Sequence, residues 1–229
     1  MKNLILIAIL FNASIFADYS NHKDSKEVID ELVNEHGFEE SYVINVLKQA
    51  KKRRTALNSV ARPAEKTKTW DDYRAIFLKK KRISDGKKFI QTNITVLERA
   101  EKEFGVPKEV ITAILGVETD YGNIMGSYRV IDSLTTLGFD DPRRSKFFKS
   151  ELIQFFILTR ENNLDILKVK GSYAGAMGYG QFISSSYRAY AIDFDGDGYV
   201  DLFNSLEDAI GSTANYLKRH GWKKEGSIV

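Results

Sequence analysis

The chain contains no cysteine among its 229 residues, which excludes disulfide staples and attachment of a lipid through an N-terminal cysteine. Its fold must rest on an apolar core, and 43% hydrophobic residues with 28% charged suffice for one domain, or one domain with a small lobe. An excess of one charge is also missing. The 34 Lys and Arg offset 31 Asp and Glu to leave +3, too little to point to nucleic acid. There is no internal repeat, no low-complexity tract and no Gly-Lys-Ser or Gly-Lys-Thr phosphate loop. The alternating apolar pattern of strands is almost absent, so the chain reads as mainly α.

A long apolar run occurs at the N-terminus. Lys2 precedes Leu4 to Phe16, broken by Asn12 and Ser14, and Ala17 stands before polar Asp18. This is the pattern of a secretory signal peptide over residues 1–17, leaving 18–229 as the mature domain. The run is shorter than the roughly 20 residues of a spanning helix, which disfavours the alternative of an uncleaved anchor.

What is present centres on Val110 to Gly126, VITAILGVETDYGNIMG. Pro107 suits a helix start, and Ile111, Leu115 and Glu118 at i, i+4 and i+7 place a carboxylate at the end of an apolar stripe. Gly122 terminates the helix, so Glu118 occupies the last turn, where low polarity and the negative helix end both disfavour its anion. A raised pKa prepares a general acid. A Glu paired with a buried Arg is the alternative.

Helical periods flank this stretch. Val28, Ile29, Leu32 and Val33 predict a first helix ending near His36-Gly37. Tyr42, Val43, Val46, Leu47 and Ala50 predict a second, running into Lys51-Lys52-Arg53-Arg54. That basic run reads as a cationic last turn rather than a polyanion site. ARPAEKTKTWDDY, residues 61–73, reads as an ordered loop entering a helix that continues to Phe77. There Trp70 and Tyr73 are either core or a carbohydrate-stacking pair. Phe89 to Phe104 predicts one long helix. Asp141-Pro142 is expected to open another, with Arg143 and Arg144 in its first turn and Phe147, Phe148, Leu152, Phe155 and Phe156 in the core. A positive charge at that helix end is unfavourable, which hints at an anionic or polar ligand unless solvent simply screens it. Residues 171–187, GSYAGAMGYGQFISSSY, carry four glycines within ten residues, too many for a helix interior. They are expected to form a wall against the acid's helix that presents Ser172 and Gln181.

Residues 193–204, DFDGDGYVDLFN, place Asp193, Asp195 and Asp197 at positions 1, 3 and 5 of a calcium loop, with Gly198 at the sharp turn and the Tyr199 carbonyl at position 7. Asn204 replaces the usual glutamate at position 12, so Asp208, or less favourably Glu207, is expected to complete the shell. A solvated acidic turn is the alternative. A last helix is predicted from about Leu206 to His220.

With these segments placed, the chain resembles the membrane-bound lytic murein transglycosylase B family. The resemblance runs from about Lys26 to Trp222 and rests on ARPAEKTKTW, GVETDYGNIMG, DDPRR, GSYAGAMGYGQF, DFDGDG and DAIGSTANYLKRHGW in that order. It implies a lysozyme-like helical catalytic domain with an EF-hand-like calcium loop. It carries the catalytic acid onto Glu118 and substrate contacts onto Tyr73, Arg143, Arg144, Ser172, Gln181 and Tyr216. The calcium ligands fall on Asp193, Asp195, Asp197, the Tyr199 carbonyl and Asp208. Phe182-Ile183-Ser184-Ser185-Ser186 departs from the family's Phe-x-Pro-Ser-Ser, a small loss of rigidity at a helix start.

The implied activity is lytic cleavage of the β-1,4 bond between N-acetylmuramic acid and N-acetylglucosamine, leaving 1,6-anhydromuramic acid ends. The implied setting is periplasmic, with calcium structural and no catalytic cofactor. The partners implied are peptidoglycan glycan strands and no nucleic acid; other cell-wall enzymes or a separately encoded C-terminal segment are further candidates. Family members continue beyond the HGW segment into a small lobe, which the sequence ending at Val229 leads us to expect is truncated or encoded separately here. A water-using muramidase and a weakly active or non-catalytic peptidoglycan-binding protein are the alternatives. A two-carboxylate hydrolase needs a partner acid. Asp120 falls on the opposite helix face and Asp132 reads as a helix cap, so neither is a good candidate.

Overall fold

A computed structural model describes residues 18–61, 69–224 and 226. The N-terminal stretch read as a signal peptide, and most of the loop before Trp70, lie outside the described residues. A 3-10 turn at Tyr19–Asn21 leads into α1 (Ser25–Asn34), α2 (Glu40–Gln49), α3 (Arg54–Ala61), α4 (Trp70–Phe77), α5 (Lys80–Thr92), α6 (Ile94–Phe104) and α7 (Lys108–Thr119). After β1 (Tyr128–Arg129) come α8 (Val130–Asp140), α9 (Ser145–Glu161), β2 (Lys170–Gly171), α10 (Ser184–Tyr190) and α11 (Leu206–Arg219). β1 and β2 pair antiparallel, Tyr128 opposite Gly171 and Arg129 opposite Lys170.

Two apolar cores result. In the larger, α8 is buried at every position from Val130 to Phe139, packed chiefly against α9 and α3. Phe148, Phe155 and Phe156 of α9 are fully buried there, each contributing about 1.5–3 kcal/mol relative to exposure. The smaller core joins Leu97, Ala100 and Phe104 of α6, Ile111 and Leu115 of α7, and Ile210 and Ala214 of α11. The residues between α9 and α10 connect the two cores, so α7 and α11 approach this connection from one side.

The structure corrects several sequence expectations. The segment from Phe89 to Phe104 is two helices, because Asn93 leaves the helical region (φ −114°, ψ 23°) and its amide donates back to Phe89 O at 2.9 Å, a side-chain bond that competes with the helix. Pro107 precedes α7 as its cap residue rather than its first turn. α9 begins at Ser145, so Arg143 and Arg144 precede its first turn, Arg144 as the N-cap residue. Phe147 is exposed, with the Arg144 guanidinium 4.5 Å above its ring.

The basic run after α2 is not a last turn either. α2 ends at Gln49, and the run binds acids of α8: Lys52 pairs with Asp140 at 3.1 Å and Arg53 with buried Asp132 at 2.6 Å. Asp132 also accepts from Arg129 and from the backbone N–H of Lys51. It is therefore an interhelix anchor and not a helix cap.

Candidate active site

α7 forms because Ile111, Thr112, Leu115, Gly116 and Thr119 make one continuous buried face. It ends abruptly, since Asp120 (φ 53°) and Tyr121 (φ 61°) both adopt left-handed backbone before Gly122 (φ 91°). Two consecutive non-glycine residues in that region are strained, and α5 holds them there. The Tyr121 hydroxyl donates to Arg82 O at 2.8 Å and Asp120 pairs with Arg82 at 3.5 Å. The end of α7 is thus fastened from behind.

Glu118 stands at the edge of the buried face rather than within it, exposed at the mouth of a cleft of about 380 Å³. Ile114, Gln181, Phe182, Thr213, Tyr216 and Leu217 line this cleft with it. A second groove of about 430 Å³, lined by Val110, Ala113, Val117 and Trp222, meets the first at Ile114 and Glu118. These mostly apolar walls desolvate the carboxyl in part, and that desolvation pushes its pKa above the ordinary value. Among the described residues Glu118 has neither an ion-pair partner nor a hydrogen bond, which removes the alternative of a Glu paired with a buried Arg.

Among the described residues no second carboxylate lines the cleft of Glu118. Asp120 is engaged by Arg82. The other acid lining either groove is Glu109, nine residues earlier and about 13 Å away along the helix. Two-carboxylate glycosidases require a separation below roughly 10 Å. The arrangement supports proton transfer by one group that alternates between acid and base.

The glycine-rich segment does form the facing wall. A Cβ at Gly122 would lie 2.0 Å from Tyr179 Cε1, so only glycine lets this wall close on the end of α7. Gln181 (φ 50°) is held by its own amide, which donates to Gly178 O at 2.9 Å and to Met125 O at 3.3 Å. Tyr216 is set edge-on against Phe182 and Tyr190 and stacked on His220, 4.0 Å between centroids.

Of the residues predicted to contact substrate, Gln181 and Tyr216 join Glu118 in the cleft. Ser172 is close in sequence but turned into its own loop, where its hydroxyl accepts from Ala174 N and Ala176 N. Tyr73 packs between Trp70 and Phe77 on α4. Arg143 pairs with Asp141 at 3.5 Å, and Arg144 covers Phe147 and Phe148. These four residues are not among those lining the two grooves. Thr119, Ser186 and Thr213 escaped the sequence reading. Thr213 lies three residues before Tyr216, on the same helix face, and that spacing was the available signal.

Asp193, Asp195 and Asp197 each place a carboxylate oxygen within 4.8 Å of the others. No cation pairs with them among the described residues. Gly196 and Gly198 turn the loop at φ 81° and 92°, and three convergent carboxylates of this kind match the hard oxygen donors that calcium takes. Tyr199 is at the surface, its N–H bound to Asp197 Oδ1 at 2.8 Å. Asp208 stands outside the trio. It is buried, and its carboxylate accepts from Phe194 N, Asp195 N and Asp201 N at 2.7, 3.2 and 2.8 Å. It shapes the loop from beneath, and burial pushes its pKa up against those donors.

A helical domain with one desolvated acid at the end of a helix, faced by a glycine-rich wall, is of the lysozyme-like class. The chain belongs to the Transglycosylase SLT domain family, whose model matches residues 20–229. It is 42% identical over 221 residues to membrane-bound lytic murein transglycosylase B of Escherichia coli (strain K12), covering 93% of this chain and 61% of that protein. Among solved structures it is similar to catenated lytic transglycosylase SltB1 from Pseudomonas aeruginosa, with TM-score 0.87 and 45% identity over 92% of this chain and 69% of that one. It is also similar to Escherichia coli lytic transglycosylase SLT35 in complex with calcium, with TM-score 0.84 and 41% identity over 92% of this chain and 67% of that one. The chain thus spans 61% of the length of the curated relative it matches.

Proposed function

We propose that this chain is a lytic transglycosylase that cleaves the β-1,4 bond between N-acetylmuramic acid and N-acetylglucosamine in peptidoglycan. The observation that carries this reading is Glu118, alone and desolvated where two grooves meet. In its protonated form it gives a proton to the glycosidic oxygen as the bond to C1 breaks. The sugar's own N-acetyl oxygen stabilises C1. The C6 hydroxyl oxygen then bonds to C1 while Glu118 takes back the hydroxyl proton, which closes a 1,6-anhydro ring without consuming water. Gln181 and Tyr216, which line the cleft with Glu118, are proposed to orient the sugar beside the acid.

The loop at Asp193, Asp195 and Asp197 would hold calcium in a structural role, with the Tyr199 carbonyl as a further ligand and Asp208 bracing the loop. Family membership supports this, as does the calcium complex of SLT35. Among the described residues no helix is long and apolar enough to cross a membrane. Residues 1–17 are proposed as an export signal that delivers the domain to the periplasm, which N-terminal sequencing of the exported protein tests. Tyr73, Arg143, Arg144 and Ser172 remain proposed contacts for parts of the strand remote from Glu118.

The test of the reaction is to incubate the purified chain with murein sacculi and weigh the products. Anhydro ends are lighter than reducing ends by one water. Reducing ends would identify a water-using muramidase, and binding without release of products would identify a wall-binding protein.

A further inference from the structure

Thr119 follows the acid directly and is buried. Its hydroxyl donates to Tyr179 O at 2.8 Å and accepts from Gly122 N at 3.0 Å. A hydroxyl has one proton to give, and the Leu115 carbonyl of its own helix is the more distant acceptor at 3.2 Å. The bond therefore leaves α7 and crosses to the glycine-rich wall. Tyr179 is the point at which that wall is held: its ring rests on Gly122, its N–H donates to Leu202 O at 3.0 Å, and Gly180, Gln181 and Phe182 follow it into the cleft.

We propose that Thr119 is a positioning residue for the reaction proposed above, its hydroxyl pinning the wall at Tyr179 to the last turn of α7 so that Gln181 and Phe182 close over Glu118. The proposal rests on that reading of the reaction. A carboxyl one residue away from the pin moves with it, and the partial desolvation of Glu118 at the mouth of the cleft depends on the wall staying closed. The other ionisable groups lining the two grooves are Tyr216 and, more than two turns away, Glu109, so no second charge on these walls masks a change in the titration of Glu118.

Thr119→Val keeps the shape and removes both bonds, whereas Thr119→Ser keeps both. Two measurements separate a pin from a merely structural threonine. The first is the titration of the Glu118 carboxyl by carbon NMR, which needs no substrate. In Thr119→Val its midpoint falls toward the ordinary carboxylate value, and in Thr119→Ser it stays with the wild type. The second is the pH profile on sacculi. Thr119→Val lowers kcat about tenfold to a hundredfold, in the range a misplaced catalytic group costs, and its alkaline limb moves to lower pH, while Thr119→Ser stays within a few-fold. If Thr119→Val does not fold, Thr119→Ala, which removes the same hydroxyl with less bulk, is read by the same titration. A midpoint unchanged in the folded variant overturns the pin. A wild-type chain that releases no anhydro product overturns the reaction, and the titration still decides the pin.

Discussion

Arg53 reaches Asp132 across 79 residues of sequence at 2.6 Å, and it does so where the carboxylate is fully buried. Asp132 has two guanidinium partners there, Arg53 and Arg129, so loss of one removes charged hydrogen bonds without leaving the carboxylate unpaired. Replacing Arg53 by Ala should cost about 1.5–3 kcal/mol of stability in urea unfolding. A loss below about 1 kcal/mol, the size of an ordinary surface pair, would show that Arg129 alone satisfies the acid.

Glu118→Gln removes the transferable proton and little else. Turnover on sacculi should fall at least about a hundredfold while glycan binding persists, and activity within a few-fold of wild type refutes the assignment. In the wild type activity should decline on the alkaline side, as the acid ionises.

The same substitution has a sign in stability. Desolvation raises the carboxyl of the folded chain above 4.5, so the unfolded chain loses its proton first as pH rises, and stability falls between the unfolded and folded values. Gln does not titrate. The melting temperature of Glu118→Gln relative to wild type should therefore rise from acid to neutral pH. A constant difference across that window would mean the carboxyl is not desolvated.

Asp193, Asp195 and Asp197 repel one another unless a cation joins them. Calcium should raise the melting temperature and a chelator lower it, with the identity of the product unchanged. Asp197→Ala should abolish the response to calcium. Equal melting temperatures with ion and chelator would remove the metal site.

Gly126 adopts φ 94°, and a Cβ there would lie 2.1 Å from Gly171 O. Gly126→Ala must push the β1–β2 pair apart or bend its own backbone, at about 2–3 kcal/mol. Thermal unfolding measures it, and an unchanged midpoint would show that the strand pair gives way freely.

The features legible in the sequence were those written within one turn or one loop. The helix bearing Glu118 announces itself by period, although it ends at Thr119, where Asp120 and not Gly122 supplies the left-handed cap, and four glycines between 171 and 180 signal close backbone approach. Aspartates at alternate positions from 193 to 197 spell out a convergent loop. What could not be read depends on partners far along the chain. The run from Lys51 to Arg54 looks like any cationic helix end until Asp132 and Asp140 are set against it. Asn93 breaks a helix whose apolar period continues through it. Ser172 carries the right chemistry for a cleft, yet its hydroxyl is used by two amides of its own loop. Thr119 continues the period of Ile111 and Leu115 and reads as one more core position, and only the folded chain brings Tyr179 to it.

Helix α11 touches two places at once. Its first turn holds Asp208 beneath the acidic loop, and two turns later Thr213 and Tyr216 face Glu118. Between Asp208 and Tyr216 the helix acts as a ruler of about 12 Å with a set phase. A substitution in that interval alters packing at one point. Inserting a single residue rotates everything beyond it by about 100°, swinging Tyr216 off Phe182 while the acidic loop stays intact. The spacing of those eight residues is thus held by both sites together, whatever side chains fill it.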